Sequence, residues 1–395
     1  MYTKEMDALR GLYEAGKYNM AMYKEKIADV HCFDSYEEFQ NIPFSYKDEI
    51  RQTEVFERTT CNKEDVYGIF SSSGTTGRKT YYVYSKKDKA VHEEFVNTFY
   101  SELGITAEDL GGVCAPVDTG VMAHTMMWQF TTRGAGYVNC PIPSPENIVD
   151  LITSVPVTVV ATRPDVVSTI AYNKEWIEKA QKSKVKKLLL GGGFLSDGRR
   201  KLLENIWDAE VYNMFGMSEM FGPMAGECRQ KNGQHYLDQY LFIELIDPVS
   251  KKPAKKGEAG VAVYSTLWDK GFPLLRYWTD DLMSISYETC ACGSSLPRIF
   301  YHGRLGDCIF VGTRKIFPVM LEEILLFYGF IHDYRAEQHG QKVVVSIEKP
   351  GDVRIPDAMT EEIRQLFGCD VEMKALLPGE LNYRGHGKRF FGENV

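Results

Sequence analysis

The stretch Ser71-Ser72-Ser73-Gly74-Thr75-Thr76-Gly77-Arg78-Lys79-Thr80 decides how the rest of the chain is read. It follows the short apolar run Val66 to Phe70 and leads into the strand-like Tyr81 to Tyr84. Glycines let a backbone approach phosphate oxygens closely, hydroxyls and amides donate to them, and Arg78 and Lys79 add positive charge, so a triphosphate is the expected guest. A kinase-type phosphate loop needs a second glycine five positions after the first, then lysine and a helix. Five positions beyond Gly74 stands Lys79, and a strand pattern follows, which excludes that class.

Outward from the loop, residues 3 to about 55 read as helical segments, for example Ala8 to Tyr23 with Leu9, Leu12, Tyr13 and Tyr18 near helical spacing. Beyond the loop, apolar runs alternate with helix-like stretches. Val113 to Val117 leads into Met122 to Thr132, Val157 to Ala161 into Val166 to Lys182, and Lys187 to Leu190 into Asp197 to Ile206. That alternation predicts an α/β fold, with a mixed, largely parallel sheet covered by helices. Between Gln239 and Trp268 the pattern turns β-rich, with Leu241 to Ile246 and Gly260 to Tyr264 separated by turn residues, so a β-rich subdomain, as mixed sheet or small barrel, is expected. From about Gly306 the order is strand, strand, helix (Met320 to Tyr328), strand (Lys342 to Ile347), helix (Met359 to Leu366), strand (Val371 to Ala375). This predicts a small α+β C-terminal domain over 304–395 after a large N-terminal domain over 1–303.

The chain has 395 residues, more than one hydrophobic core usually supports, with 44% hydrophobic and 25% charged residues and a formal charge of −8. An acidic balance argues against a protein that neutralises phosphate backbones, and Lys251, Lys252, Lys255 and Lys256 read as a solvated turn, so no nucleic-acid partner is expected. No apolar run reaches about 18 residues and the first residues are polar, so neither membrane insertion nor export is expected. Nine scattered cysteines suit a reducing compartment, and the expected location is cytoplasmic.

Leu190-Gly191-Gly192-Gly193-Phe194 and Tyr212-Asn213-Met214-Phe215-Gly216-Met217-Ser218-Glu219 each end a predicted strand, and ligands of α/β sheets sit at such ends. Further on come Leu275-Arg276-Tyr277-Trp278-Thr279-Asp280-Asp281-Leu282, Gly303-Arg304-Leu305-Gly306-Asp307 and Gly385-His386-Gly387-Lys388-Arg389. With Ser72-Ser73-Gly74-Thr75-Thr76-Gly77 at their head, these segments in this order resemble the adenylate-forming superfamily of acyl-CoA synthetases, nonribosomal peptide synthetase adenylation domains and luciferase, specifically its phenylacetate-coenzyme A ligase branch. The resemblance spans nearly the whole chain. It implies that Ser72, Ser73, Gly74, Thr75, Thr76 and Gly77 bind phosphate, and that Gly192, Gly193 and Phe194 hold the adenine. Asn213, Met214, Phe215, Gly216 and Met217 would line adenine and α-phosphate, with Ser218 on the phosphate and Glu219 on Mg²⁺, an ion that needs few carboxylates beside nucleotide phosphates. Asp281 would hold the ribose hydroxyls, with Asp280 exposed. Arg304 would reach ribose or phosphate, and Lys388 would enter the site for adenylation. Gly120 and His124 fall where the family builds part of its acyl pocket; Met126, Met127, Trp128 and Phe130 nearby are apolar, as pocket or as core.

The chain departs from the pattern twice. Gly306 stands at the family's hinge aspartate, and Thr313 replaces a glycine near the pantetheine tunnel. Separately, Cys290-Ala291-Cys292-Gly293 forms a Cys-x-Cys turn, and Cys228 and His235 bracket the Lys231-Asn232-Gly233 turn upstream. Three thiolates and one imidazole would close a tetrahedral structural Zn²⁺ site, and members of the branch carry Cys and His in corresponding places. Cys308 reads as core.

The implied activity is ATP-dependent conversion of an aryl or arylacetic acid to acyl-AMP, then thioester formation with coenzyme A, with rotation of a mobile C-terminal domain between the steps. Transfer to a carrier-protein phosphopantetheine or an amine, and a non-catalytic nucleotide- or acyl-binding homologue, are the alternatives. The partners are a small-molecule acid and ATP/AMP, with a carrier protein and a homodimer left open.

Overall fold

The computed structural model describes residues 3–72, 79–118, 120–312, 314–381 and 390–392. The fold is α/β, built on mixed sheets, and the chain divides into two compact units that do not follow chain order. No helix among the described residues is long and apolar enough to cross a membrane.

The first unit comprises Met1–Glu108, Pro116–Gly136 and Met214–Tyr301. Its helix Thr3–Asn19 ends earlier than the sequence pattern predicts, because Met20 turns extended before the short helix Ala21–Lys24. On either side of the segment expected to bind phosphate, Val66–Ser71 pairs antiparallel with Tyr81–Ser85. At its mouth the Ser72 amide donates to the Thr80 carbonyl at 2.8 Å, and the Thr80 amide donates to Ser72 Oγ at 3.2 Å. Ser85 then caps the helix Lys86–Glu102 through a capping box with Asp88, which ties hairpin and helix together.

The β-rich region forms as expected and is a mixed-sheet portion rather than a barrel. Leu241–Ile246 pairs antiparallel with Gly260–Thr266, and that strand with Tyr277–Ser286, while Gly222–Glu227 pairs with Gln234–Tyr236. One apolar cluster joins the N-terminal helices, through Leu9, Tyr13, Tyr23, Phe39 and Ile50, to these strands through Ala262, Tyr264 and Met283. Arg276 staples the two parts. It is 3% exposed, its Nε and Nη2 each lie 2.9 Å from Glu244 carboxylate oxygens, and its Nη1 donates to the Gln40 and Ile42 carbonyls.

The second unit comprises Asp109–Ala115, Tyr137–Asn213 and His302–Val395. Its centre is parallel: Leu110–Val113 pairs with Val159–Thr162, and that strand with Lys187–Gly191. The first strand ends where the sequence pattern has it begin, since Pro116 lacks the amide a ladder needs. The helix expected over Val166 to Lys182 divides into Pro164–Ser168 and Lys174–Lys182, because the Asn173 side chain accepts from the amides of Glu175 and Trp176 and starts a new helix. Strand Glu210–Met217 contributes its first half to this unit and its second half to the first.

In the C-terminal segment every element that the sequence pattern predicts forms, and two strands that it does not predict, Asp333–His339 and Phe390–Phe391, form as well. Asp333–His339 and Lys342–Glu348 form a hairpin, Asp370–Leu376 adds parallel to one edge and Phe390–Phe391 to the other, and helices Pro318–Phe327 and Asp357–Phe367 cover them over a core of their own. Within this unit a buried ion pair fixes helix Pro318–Phe327 to the start of helix Asp197–Trp207. Glu322 accepts from Arg199 Nε at 3.0 Å and Nη2 at 3.3 Å, Ser196 Oγ at 2.6 Å and Tyr334 OH at 3.0 Å, while Glu323 accepts from the amides of Asp197 and Gly198.

Candidate active site and metal cluster

Strand Glu210–Met217 ends in the single turn Ser218–Met220, which delivers Glu219 into the interior at 3% exposure. Gly216 permits this turn: a Cβ there would stand 2.2 Å from the Gly222 carbonyl oxygen, so any larger residue would part the two strands. Three donors converge on Glu219 Oε1: Tyr82 OH at 2.8 Å, Tyr277 OH at 3.1 Å and Lys47 Nζ at 3.1 Å. Burial pushes this carboxyl up, but the Lys47 charge and the Tyr82 hydroxyl outweigh it and hold the pKa below the ordinary carboxylate range. Tyr82, buried beside that charge, is pushed well above a normal phenol. Lys270 lies nearby, fully buried, its Nζ without a hydrogen-bond partner and 5.1 Å from the centre of the Tyr84 ring. Burial draws its pKa down against the pull of Asp88 and Glu219.

The expected Mg²⁺ can be tested against this arrangement. The carboxylate oxygen that faces all three donors already holds a cation, and a divalent ion there would sit beside an ammonium in a poorly screened place. As arranged, Glu219 with Lys47 in contact does not fit a magnesium ligand.

Two residues beyond Glu219, Phe221 takes the left-handed conformation, φ 67°, and stacks on Tyr84 with centroids 4.3 Å apart. It also meets Tyr67 at 5.7 Å, Phe70 at 6.0 Å and Trp128 at 5.7 Å. His124, on helix Val121–Thr132, which Gly120 leads, closes the patch: Phe70 lies 4.7 Å away and Tyr67 OH 3.2 Å from its Nε2. Burial lowers its pKa, so the imidazole is neutral near pH 7. Met126 and Phe130 are core instead, while Trp128 faces the patch.

The other expected residues fall as follows. In the first unit, Asp281 is buried and accepts from Tyr301 OH at 3.3 Å, and the Tyr301 ring lies 5.4 Å from Phe215, so the expected ribose carboxylate and an expected adenine contact share one tyrosine; Asp280 is exposed. Met214 is buried, and Met217 and Ser218 lie at the strand end. In the second unit, Gly192 follows strand Lys187–Gly191 with φ 68°, Gly193 stands against Pro164, and Phe194 and Asn213 belong to the same unit. Arg304 is exposed at the end of strand Arg298–Arg304. Gly306 sits in a short turn at negative φ with open space around it, so the backbone here does not demand glycine. Ser73, Gly74, Thr75, Thr76, Gly77, Thr313 and Lys388 lie outside the described residues. Cys308 is core, and burial pushes its thiol up to about 12.

Lys47, Tyr67, Tyr82, Phe221, Lys270 and Tyr301 escaped the sequence reading. Tyr277 stands inside a quoted motif and Phe221 just past another, so motif neighbours were the available signal. Lys47 has none, because its partner lies far away in sequence.

The four expected zinc ligands do come together. The donor atoms of Cys228, His235, Cys290 and Cys292 all lie within 4.8 Å of one another. Cys228 Sγ is 3.9 Å from Cys290 Sγ, and Cys292 Sγ is 3.6 Å from His235 Nε2, close to the edges of a tetrahedron with bonds of about 2.3 Å to sulfur and 2.0 Å to nitrogen. His235 Nδ1 donates to the Leu296 carbonyl at 3.0 Å, which leaves the Nε2 lone pair facing the thiols. The donor set and its spacing fit a closed structural Zn²⁺ site.

The family model for AMP-binding enzymes matches residues 15–264, more than half of the chain. Among curated proteins, the phenylacetate-coenzyme A ligase of Thermus thermophilus is 27% identical over 343 residues, covering 80% of this chain and 72% of that protein. The Escherichia coli phenylacetate-coenzyme A ligase is 24% identical over 337 residues, covering 81% and 75%. Among solved structures, 2-hydroxyisobutyryl-CoA ligase with its acyl-AMP matches with a TM-score of 0.83 at 16% identity, covering 98% of this chain and 88% of that one. The anthranilate-CoA ligase AuaEII with anthranoyl-AMP matches at 0.65 and 16%, covering 87% and 68%. The chain therefore belongs to the AMP-binding enzymes, as an AMP-forming carboxylic acid ligase of the phenylacetate-coenzyme A ligase branch of the adenylate-forming superfamily.

Proposed function

We propose that the protein joins a small aryl or arylacetic acid to coenzyme A by way of an acyl-adenylate. The observation that carries this reading is the aromatic patch of the half-buried Tyr67, Phe70, His124 and Trp128 packed on Phe221, two residues from Glu219. A flat apolar acid has ring faces to meet there, and the neutral His124 can donate to a carboxylate without adding charge. Coenzyme A is favoured as acceptor over a carrier protein or an amine because the curated relatives are phenylacetate-coenzyme A ligases.

In this reading the carboxylate attacks the α-phosphorus of ATP and pyrophosphate leaves. The thiol of coenzyme A then attacks the acyl carbon, and AMP leaves with the bonding electrons. Ser72, the residues 73–77 and Ser218 hold phosphates, Asp281 the ribose hydroxyls, and Gly192, Gly193, Phe194 and the segment 213–217 the adenine, with Arg304 beside the ribose or phosphate. Lys388 neutralises charge developing between the α-phosphate and the attacking carboxylate. The divisions 1–303 and 304–395 are the two bodies that rearrange between steps, and Zn²⁺ at Cys228, His235, Cys290 and Cys292 braces the first.

Pyrophosphate exchange with ATP across a panel of aryl, arylacetic and short aliphatic acids, followed by product mass with coenzyme A, tests this. Exchange should be fastest with an aryl or arylacetic acid, yield the coenzyme A thioester, and be abolished by Lys388→Ala while transfer from preformed acyl-AMP survives. Exchange only with aliphatic acids, or none with any acid, would overturn it.

A further inference from the structure

We propose that Lys47 occupies the cation position at Glu219, so that the protein without nucleotide has no divalent-ion site at that carboxylate. The proposal deepens the reading of Glu219 as part of the nucleotide site and rests on it. Lys47 opens the short helix Lys47–Gln52 in the N-terminal segment, and nothing in its surroundings along the chain marks it. Folding brings its Nζ to 3.1 Å from Glu219 Oε1, the same oxygen that takes the hydroxyl protons of Tyr82 and Tyr277.

Three features make this more than a surface contact. The Glu219 side chain is 4% exposed, so its charge cannot be left to water, whereas Lys47 keeps 35% of its surface and can be approached from solvent. The neighbouring ammonium, Lys270, has no hydrogen-bond partner and is pressed towards neutrality by burial, which leaves Lys47 as the counter-charge in contact with Glu219 among the described residues. Both phenols donate to the carboxylate, and each is anchored in a strand, Tyr82 in Tyr81–Ser85 and Tyr277 in Tyr277–Ser286, so the oxygen is held ready for one further donor and Lys47 supplies it. Lys47 acts through Glu219 and is a positioning residue, holding the carboxylate ionised and aimed while the nucleotide is absent.

Mn²⁺ serves as the probe, because the electron-spin signal of the free ion reports binding directly. Titrations use the full chain with neither nucleotide nor acid present. Wild type and Glu219→Gln should bind Mn²⁺ alike. Lys47→Met should gain one site, roughly ten-fold or more tighter than anything in wild type, because an unpaired buried carboxylate now faces the ion. That site should vanish in Lys47→Met/Glu219→Gln and be missing in Lys47→Arg, which keeps the charge. A Glu219-dependent site in wild type would overturn the proposal, and so would Lys47→Met binding no more than Lys47→Met/Glu219→Gln. If Lys47→Met proves misfolded by near-ultraviolet circular dichroism, the comparison of wild type with Glu219→Gln decides alone. Failure of the proposed ligase activity would show in pyrophosphate exchange and leave these titrations unaffected.

Discussion

Replacing Arg276 by leucine isolates what holds the N-terminal helices to the strands behind the site. In the native protein the guanidinium and the Glu244 carboxylate are both almost fully buried and meet through two contacts of 2.9 Å. Removing the cation leaves Glu244 with the Tyr36 hydroxyl at 3.3 Å as its remaining hydrogen-bond donor among the described residues, and the Gln40 and Ile42 carbonyls lose the Arg276 donor. An uncompensated buried charge costs about 3–5 kcal/mol, and the lost contacts with the Phe39 and Phe44 rings add on the order of 1 kcal/mol. That is a large part of the stability of an ordinary domain. Urea unfolding followed by tryptophan fluorescence should therefore show the first unit unfolding well before wild type, with Trp278, 5.2 Å from Phe44, as a reporter close to the break. Burial raises the Glu244 pKa, and Arg276 opposes that rise. Without Arg276 the folded pKa climbs further above the unfolded one, so the folded state takes up a proton more readily. The penalty must then shrink as pH falls from 7 towards 5. The double variant Arg276→Leu/Glu244→Leu, which removes both charges, should recover most of the loss. A single variant within about 1 kcal/mol of wild type, or a double no better than the single, would refute the reasoning.

Two further outcomes are expected. Fresh protein should carry one zinc per chain, and stripping it with a chelator, or Cys292→Ser, should lower the melting temperature by roughly 5 °C or more; absence of zinc on metal analysis removes the site. Glu322→Gln leaves the Arg199 charge buried without its counterion, so amide hydrogen exchange in helix Pro318–Phe327 should quicken by at least about ten-fold, and unchanged exchange would show that the ion pair does not hold this helix.

Much of this molecule is legible in the sequence wherever the signal is local. Strand Leu241–Ile246 is read to the residue, because its apolar run is closed on both sides by turn formers. The convergence of Cys228, His235, Cys290 and Cys292 is legible because thiol and imidazole are scarce and each pair sits at a glycine turn, so residue type alone narrows the choice. Boundaries fail where a side chain overrides the pattern, as at Asn173, whose amide captures two backbone donors in the middle of an apparently continuous helix. The surroundings of Glu219 were not legible at all. The motif announces a carboxylate, but whether it awaits a metal or already has its cation depends on Lys47, 172 positions earlier, and on two tyrosines from separate strands. Arg276 shows the same limit: it stands inside a segment expected to bind nucleotide, yet its partners Glu244, Gln40 and Ile42 make it a brace for the N-terminal segment.

The brace and the metal cluster act on the same strands from opposite directions. His235, of the Cys-His cluster, lies across from Gly226 in the sheet, and Gly226 lies across from Met214 in the strand that leads to Glu219. On the other side, Arg276 fixes the start of the strand that supplies Tyr277 to Glu219, while the bridge between Ser45 and Tyr277 ties that strand to the segment carrying Lys47. Two of the three donors around the carboxylate, Tyr277 and Lys47, are thereby fixed by elements anchored elsewhere. This explains how a buried carboxylate can stay ionised: the cost of its burial is met by the folding of remote segments that bring Lys47, Tyr82 and Tyr277 to it.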